Sequence, residues 1–226
     1  MLKDGNKWVK ISAYKNLGAF IHLVRDKLNP ELFREYCRMP DGDINGLSKD
    51  NEIIYSCAFN FPAVLDAVGK ERWESDLWKI YEKLLKSSDK RIKITLSDSL
   101  HEIAKLLGET LTERYLFKVV DMFFREKSDE IKLGVIKHMS SIMRTLSEGK
   151  RETLIGVFEE FQKDQKKWRI RESIGRQLGE ILEIYKPQLI FEYVVPILLK
   201  FCSDSVSTVR EEASRKVPDF IEKLKD

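Results

Sequence analysis

Few side chains in this 226-residue sequence could do chemistry. The histidines are His22, His101 and His138, and none has a partner at motif spacing. HExxH, GxSxG and a Gly-rich phosphate loop are all missing from the sequence. Cys37, Cys57 and Cys202 lack CxxC spacing and a neighbouring histidine, so no metal site is expected. Cys57 and Cys202 fall in apolar helical patterns and read as buried thiols. An odd, scattered cysteine count fits a reducing compartment, the cytoplasm or nucleus. The carboxylate pairs Glu159-Glu160 and Glu211-Glu212 lie on polar helix faces, where nothing arranges them for general acid–base work. The expectation is a chain without catalytic residues or cofactors, whose tryptophans and arginines serve recognition.

Composition narrows the partners. The chain carries 40 basic and 37 acidic residues, a net charge of +3, with the two signs interspersed. A nucleic-acid binder would be more basic, with its cations clustered, so no nucleic acid is expected. No apolar run approaches the roughly 18 residues of a membrane span, and the opening Met-Leu-Lys-Asp-Gly-Asn-Lys lacks the pattern of a signal peptide. Six prolines and eleven glycines leave long helices easy to form.

The elements that would position any site follow from an internal period. A β-branched residue opens a helical pattern at Ile53, Ile92, Ile131, Ile170 and Val209, each 39 residues after the last. Val9 begins a sixth copy 44 residues before Ile53, so one unit carries five extra residues. Four past the anchor stand Ala13, Cys57, Leu96, Val135, Ile174 and Ala213. Apolar columns also recur eight and eleven residues past it, ending in Val217 and Phe220. Offsets 0, 4, 8 and 11 share one face of an α-helix, so these columns predict a core. Offset 3 is small, as in Ser12, Ser56 and Gly134, which lets a neighbouring helix approach. At offset 9, Pro62 and Pro218 predict kinks.

A second helix precedes each anchored one, with columns such as Leu77, Leu116, Ile155 and Val194. The predicted pairs run 71–86, 109–126, 148–163 and 187–202, and the anchored helices 7–24, 51–68, 90–107, 129–146, 167–185 and 206–225. Gly69, Gly108 and Gly149 read as C-terminal caps. Residues 39–50 read as an irregular loop insertion that holds the extra length. Trp73, Trp78, Tyr115, Phe123 and Phe124 read as core. The whole chain, 1–226, reads as a single repeat array. A two-helix unit near 40 residues buries its faces only by stacking on neighbours. Neither end is fully polar, so the chain is expected to be a segment of a longer array or to have an end covered.

A valine or isoleucine followed by a basic residue at the turn between paired helices resembles the HEAT repeat. It reads Val9-Lys10, Ile92-Lys93, Ile131-Lys132, Ile170-Arg171 and Val209-Arg210. The resemblance implies an all-α fold, a right-handed α-α superhelix (HEAT-repeat solenoid, armadillo-like) of about five and a half two-helix repeats. Narrower likenesses lie within it. Ser99-Leu100-His101-Glu102-Ile103-Ala104, Tyr55 to Val64 and Gly69-Lys70-Glu71-Arg72-Trp73 resemble the regulatory-subunit-1 family of protein phosphatase 4. Trp168-Arg169-Ile170-Arg171-Glu172 resembles a segment seen there and in the scaffold subunit of type-2A phosphatases. That resemblance implies a non-catalytic scaffold whose partners are a serine/threonine phosphatase catalytic subunit and substrate proteins.

The resemblance also locates surfaces. The turns between paired helices form a ridge, here Arg91, Lys93, Lys132, Lys167, Trp168, Arg169, Arg171 and Arg210, expected to contact the partner. The opposing reading packs Trp168 into the core and pairs Arg171 and Arg210 with acids of the adjacent turn. A concave face carries Lys137, Arg144, Arg176 and Arg215 and leans positive, either as a groove for an acidic segment or as an ordinary solvated face. Two other classes stay open, a HEAT adaptor for nuclear transport or another assembly, and a HEAT-type DNA glycosylase. The last needs an aspartate among tryptophans on a basic concave face. Asp98 is the acid available there, and no tryptophan shares its face.

Overall fold

A computed structural model describes residues 1–41 and 50–225, and among these every regular element is helical. The chain divides into two compact units, Met1–Leu106 and Leu107–Asp226.

The first unit holds α1 (Lys7–Leu23), α2 (Pro30–Arg38), α3 (Asn51–Val68), α4 (Trp78–Leu85) and most of α5 (Lys90–Leu107). All but α4 start where a side chain replaces a missing backbone acceptor, and α4 continues from a π turn at Trp73–Leu77. Asn6, Asn29, Asp50 and Asp89 accept from the amides two residues on, at 2.9, 2.9, 2.8 and 2.9 Å. The helices end at Gly69 and Gly108, with φ of 84° and 75°, where a side chain would be strained. Of the predicted loop at 39–50, Met39–Asp41 form a 3₁₀ turn with Met39 buried, and 42–49 lie outside the described residues. Pro62 sits inside α3, which continues through it as one helix.

α1 packs on α3 so closely that a Cβ at Gly18 would lie 2.3 Å from the Asn60 Cβ. Tyr14 Oη donates to the buried Glu35 carboxylate at 2.6 Å, tying α1 to α2. Tyr36 Oη donates to the Cys57 carbonyl at 2.7 Å. Trp73 is fully buried against Phe61 and Tyr81, with ring centroids 6.2 and 5.9 Å away, while Trp78 stays half-buried at the edge of this cluster.

The second unit holds α6 (Glu109–Leu111), α7 (Phe117–Phe124), α8 (Asp129–Ile136), α9 (Met139–Arg144), α10 (Glu148–Thr153), α11 (Ile155–Lys163), α12 (Trp168–Leu182), α13 (Pro187–Leu189), α14 (Val195–Cys202), α15 (Ser207–Ser214) and α16 (Val217–Lys223). Each predicted pre-anchor helix here is interrupted. A π turn joins α6 to α7 at Thr112–Leu116 and α13 to α14 at Ile190–Val194, and the first unit has its counterpart at Trp73–Leu77. The amides of Trp78, Phe117 and Val195 reach back five residues to Trp73, Thr112 and Ile190. These turns keep the repeat's pitch, so they belong to the repeat itself. Gly149 is no cap: it lies inside α10. Phe123 is buried, but Tyr115 and Phe124 are half-buried, and so is Cys202, which sits near the end of the unit.

Two anchored helices are also broken, and the sequence foresees one break. α15 stops before Arg215-Lys216 and α16 resumes with Pro218 in its first turn, as the proline implies. The break between α8 and α9, at Lys137-His138, has no proline. Gln177 of α12 repairs it: its amide donates to the Ile136 carbonyl and accepts from the Ser140 N–H at 3.0 Å. Ser140 Oγ donates to Glu180 of the same helix. Gln177 is buried, so Gln177→Leu would leave both backbone groups without water or partner. We expect a loss of about 1–3 kcal/mol in urea unfolding; an unchanged midpoint would remove this bridge from the account.

Candidate protein-docking ridge

The anchor columns form the core of both units. Ile53, Ile92, Ile131, Ile170 and Val209 are buried, as are Cys57, Leu96, Val135, Ile174 and Ala213. The helix starts that follow from them place the basic residue after Ile92, Ile131, Ile170 and Val209 in the first turn of its helix.

In the second unit these turns bring together most of the expected ridge. Lys167 Nζ lies 3.3 Å from Asp164 and 3.7 Å from Asp129. Burial disfavours its charge, but hydrogen bonding to Asp164 and the nearby acids prevail and raise its pKa. Burial and the neighbouring Lys167 lower the pKa of Lys132, whose Nζ stands 5.9 Å from the Phe161 ring centre. Trp168 opens α12 half-buried, and the exposed Arg169 guanidinium lies 4.4 Å from its ring centre. This stacked pair presents a flat apolar surface edged by cation, the side-chain chemistry favoured at protein interfaces.

Arg171 does not join that surface. Its side chain is fully buried, with Nε and Nη2 on the two oxygens of Asp204 at 2.6 and 3.0 Å and Nη1 on the Asp164 carbonyl at 2.6 Å. The expected exposed contact is therefore corrected: Arg171 links one turn to the next, and no partner could reach it. Burial opposes ionisation of Asp204, but Arg171, the Val206 amide and Arg210 together hold its carboxyl below the ordinary value. Arg210 is exposed, but its Nη1 donates to the carbonyls of Asp204 and Ser205 at 2.6 and 3.0 Å, which makes it a support for the same turn.

In the first unit Arg91 is exposed and engaged, bonded to Asp89 at 3.0 Å and Glu52 at 2.8 Å, and it lies 5.4 Å from the Tyr55 ring centre. Lys93 is half-buried.

The expected positive face is offset by acids. Arg176 pairs with Glu172 at 2.9 Å and Glu212 at 3.5 Å, and Arg215 pairs with Glu211 and Glu212. Arg144 borders a depression of about 630 Å³ together with Arg176, Lys216 and Lys223 and the acids Glu180, Glu183, Asp219 and Glu222, so the two signs balance. Lys137 stands exposed at the break after α8. His101 makes a local contact, Nδ1 to the Asp98 carbonyl at 2.9 Å. Burial pushes the Cys57 thiol up to about 12 and the Cys37 thiol up to about 11, which leaves neither reactive at neutral pH. Among the described residues no group of three or more His, Cys, Asp or Glu could hold a metal, and no helix is long and apolar enough to cross a membrane.

A polar column seven past each anchor is the signal that marks Gln177 in the sequence. It reads Asn16, Asn60, Ser99, His138, Gln177 and Lys216. Asn16, Asn60, Ser99 and Gln177 each bond the carbonyl four residues back.

Comparison with known proteins matches the part of the chain that precedes the Trp168 turn. Residues 57–161 match the protein phosphatase 4 regulatory subunit 1 middle domain. The serine/threonine-protein phosphatase 4 regulatory subunits 1 of Homo sapiens and Mus musculus are each 32% identical to the chain over 203 residues, 89% of its length. The chain spans 21% of the length of these relatives. The resemblance drawn from Tyr55 to Val64, Gly69 to Trp73 and Ser99 to Ala104 is thus shown. Among solved structures, Cex1p superposes with a TM-score of 0.77 over 98% of this chain and 41% of its own, at 16% identity. An engineered protein superposes with a TM-score of 0.52, also at 16% identity. These neighbours agree with the all-α, HEAT-like fold.

Proposed function

We propose that the chain is a non-catalytic scaffold that binds the catalytic subunit of a type-2A-like serine/threonine phosphatase, of the phosphatase 4 kind, through the ridge of its second unit. The observation that carries this reading is the 32% identity, over 89% of the chain, with relatives named as phosphatase 4 regulatory subunits. The ridge adds a surface suited to it, with Trp168 half-buried, Arg169 stacked on its ring and Lys167 beside them. The chain's own contribution is positional: α12 and the Arg171–Asp204 link hold this surface rigid. Three free cysteines fit a place in the cytoplasm or nucleus.

Purified phosphatase 4 catalytic subunit, titrated with the wild-type chain, tests the reading. Saturable binding is expected. Trp168→Ala with Arg169→Glu should weaken it about 30-fold or more, as loss of an interface anchor does. A wild-type chain that fails to bind would overturn the reading; equal binding by both proteins would overturn the ridge alone.

A further inference from the structure

We propose that the outward face of α14 and of the turn before it, formed by Phe191, Val195 and Leu199, is a docking stripe for a basic amphipathic helix of another protein. None of these residues belongs to the ridge at Trp168, so the proposal is independent of phosphatase binding.

The repeat columns are the starting point. Phe191 and Leu199 are 69% and 60% exposed. At intervals of 39 residues before them, the column of Phe191 reads Glu152, Glu113 and Glu74, and that of Leu199 reads Glu160, Asp121 and Glu82. In the second unit the copies with Glu113–Asp121 and Glu152–Glu160 are each followed by a further copy, yet Asp121, Glu152 and Glu160 are exposed. Glu113 is half-buried, because it accepts from the Ser147 amide at 2.7 Å. These columns point outward even where a copy follows, so the exposure of Phe191 and Leu199 does not depend on what adjoins the last copy. Large apolar residues stand here at surface places where the preceding copies carry charge, as at a recognition patch.

The stripe cannot turn inward. The opposite side of the same segment buries Ile190, Val194, Ile197, Leu198 and Phe201. Phe191, Val195 and Leu199 stand at i, i+4 and i+8, which lines them up on one side, with Val195 half-buried between two exposed ends. From Phe191 to Leu199 is about 12 Å of helix. Three side chains are far less than the roughly 800 Å² that each partner of a stable dimer buries. The stripe therefore suits a short segment, a helix of two to three turns laid along it.

Charge selects the occupant. Hydrogen bonding to Glu192, and then the charges of Glu192, Glu159 and Glu152, raise the pKa of the Tyr193 hydroxyl, which places these carboxylates around Tyr193 and beside Phe191. Glu160, in the column of Leu199, stands one helix over, a spacing of about 10 Å. Among the described residues none of these four acids is in an ion pair. The nearby cations have other attachments or lie at the far end. Lys186 pairs with Glu148 and lies near Glu152, and Arg151 donates to the carbonyls of Leu146 and Ile184. Arg125 and Lys132 feel Glu160, but Arg125 is bonded to Asp121 at 2.9 Å. Lys163 and Lys200 stand toward the C-terminal ends of α11 and α14, and Lys200 donates to Gln162 at 3.3 Å. A second copy docking face to face would set carboxylates against carboxylates. A helix with leucine-like residues on one face and lysines along its flanks meets complementary charge.

The test uses the whole chain and three synthetic peptides of about 14 residues, sized to the stripe. Two carry leucine at helical spacing i, i+3, i+4 and i+7, with lysine in one and glutamate in the other at the remaining positions. The third keeps the lysines and has serine in place of leucine. Binding is followed by fluorescence anisotropy of the labelled peptides. The leucine–lysine peptide should saturate and bind at least about tenfold more tightly than either of the others, with an affinity that falls as salt rises. Phe191→Glu with Leu199→Glu installs the acids that the preceding copies carry at these exposed places. It should therefore keep the wild-type melting temperature and weaken the binding about tenfold or more. Attraction by charge alone would instead strengthen with two added carboxylates. Glu152→Gln with Glu159→Gln should weaken the binding as well. The proposal is overturned if the leucine–lysine peptide does not saturate, if the serine or glutamate peptide binds as tightly, or if the Phe191→Glu, Leu199→Glu variant binds as well as wild type. Self-association abolished by the same variant would assign the stripe to a second copy and overturn it too.

Discussion

An Arg171→Met variant should lose about 3–5 kcal/mol of stability, the largest effect expected of any single ridge substitution. The guanidinium is fully buried, and removing it strands the Asp204 carboxylate, whose side chain is almost as deeply buried. It also takes one donor from the Asp164 carbonyl, which keeps the Lys167 amide. The cost comes from the charge left behind, so relieving that charge should return part of it. Asp204 also accepts from the Val206 amide at 2.9 Å, which starts the following turn. Asparagine at 204 keeps that role and removes the charge. Arg171→Met combined with Asp204→Asn should therefore be more stable than Arg171→Met alone, as read by urea denaturation of all three variants and the wild type. A double variant that loses the sum of the two single losses would contradict a charge-pair origin.

The same pair predicts a pH dependence. The folded-state pKa of Asp204 is depressed below its unfolded value of about 3.9, so its contribution to stability is present above that pH. It is lost as pH falls through the depressed folded value. Wild-type stability should thus fall below about pH 4 more steeply than that of Asp204→Asn. Parallel acid melting curves for the two would count against it.

Truncation of a core anchor is the second large effect. Ile131→Ala removes a buried side chain from the start of α8 and should cost about 2–5 kcal/mol. In a repeat array the loss spreads by nearest-neighbour contact. Hydrogen exchange should therefore accelerate most in α7, α8 and α12, while amides of α1 and α3 keep their wild-type protection. Uniform acceleration throughout the chain would show a single cooperative core and contradict the repeat organisation.

The repeat frame was readable because a 39-residue period acts on many residues at once. Ile53, Ile92, Ile131, Ile170 and Val209 each occupy the same buried place, and the helix bounds at 51–68 and 90–107 follow from them. Individual polar side chains were not readable in this way. Arg171 looks like Lys132 and Arg210 in the sequence, and only the position of Asp204 in the next turn makes it a buried link. Gln177 looks like an ordinary helix residue until the break at Lys137-His138 gives it two backbone groups to satisfy. The π turns and the helical Gly149 escaped because helical periodicity tolerates a one-residue shift, and a glycine near a boundary resembles a cap. The positive lean of Arg176 and Arg215 was misleading for a related reason. Their acids, Glu172, Glu211 and Glu212, lie in other columns and meet them only through the helix turn or the neighbouring helix. Trp168 fell between the two readings offered for it, since one side packs while the other faces Arg169 and solvent.

The proposed function puts a phosphatase catalytic subunit on the Trp168–Arg169 turn. The most direct measurement is the affinity of purified phosphatase 4 catalytic subunit for three proteins: wild type, Trp168→Ala with Arg169→Glu, and Arg176→Glu with Arg215→Glu on the concave side. All three should be folded by circular dichroism. The account predicts binding by wild type and by the concave variant, and a loss of about 30-fold or more for the ridge variant. A wild-type chain with no measurable affinity for the catalytic subunit would contradict it.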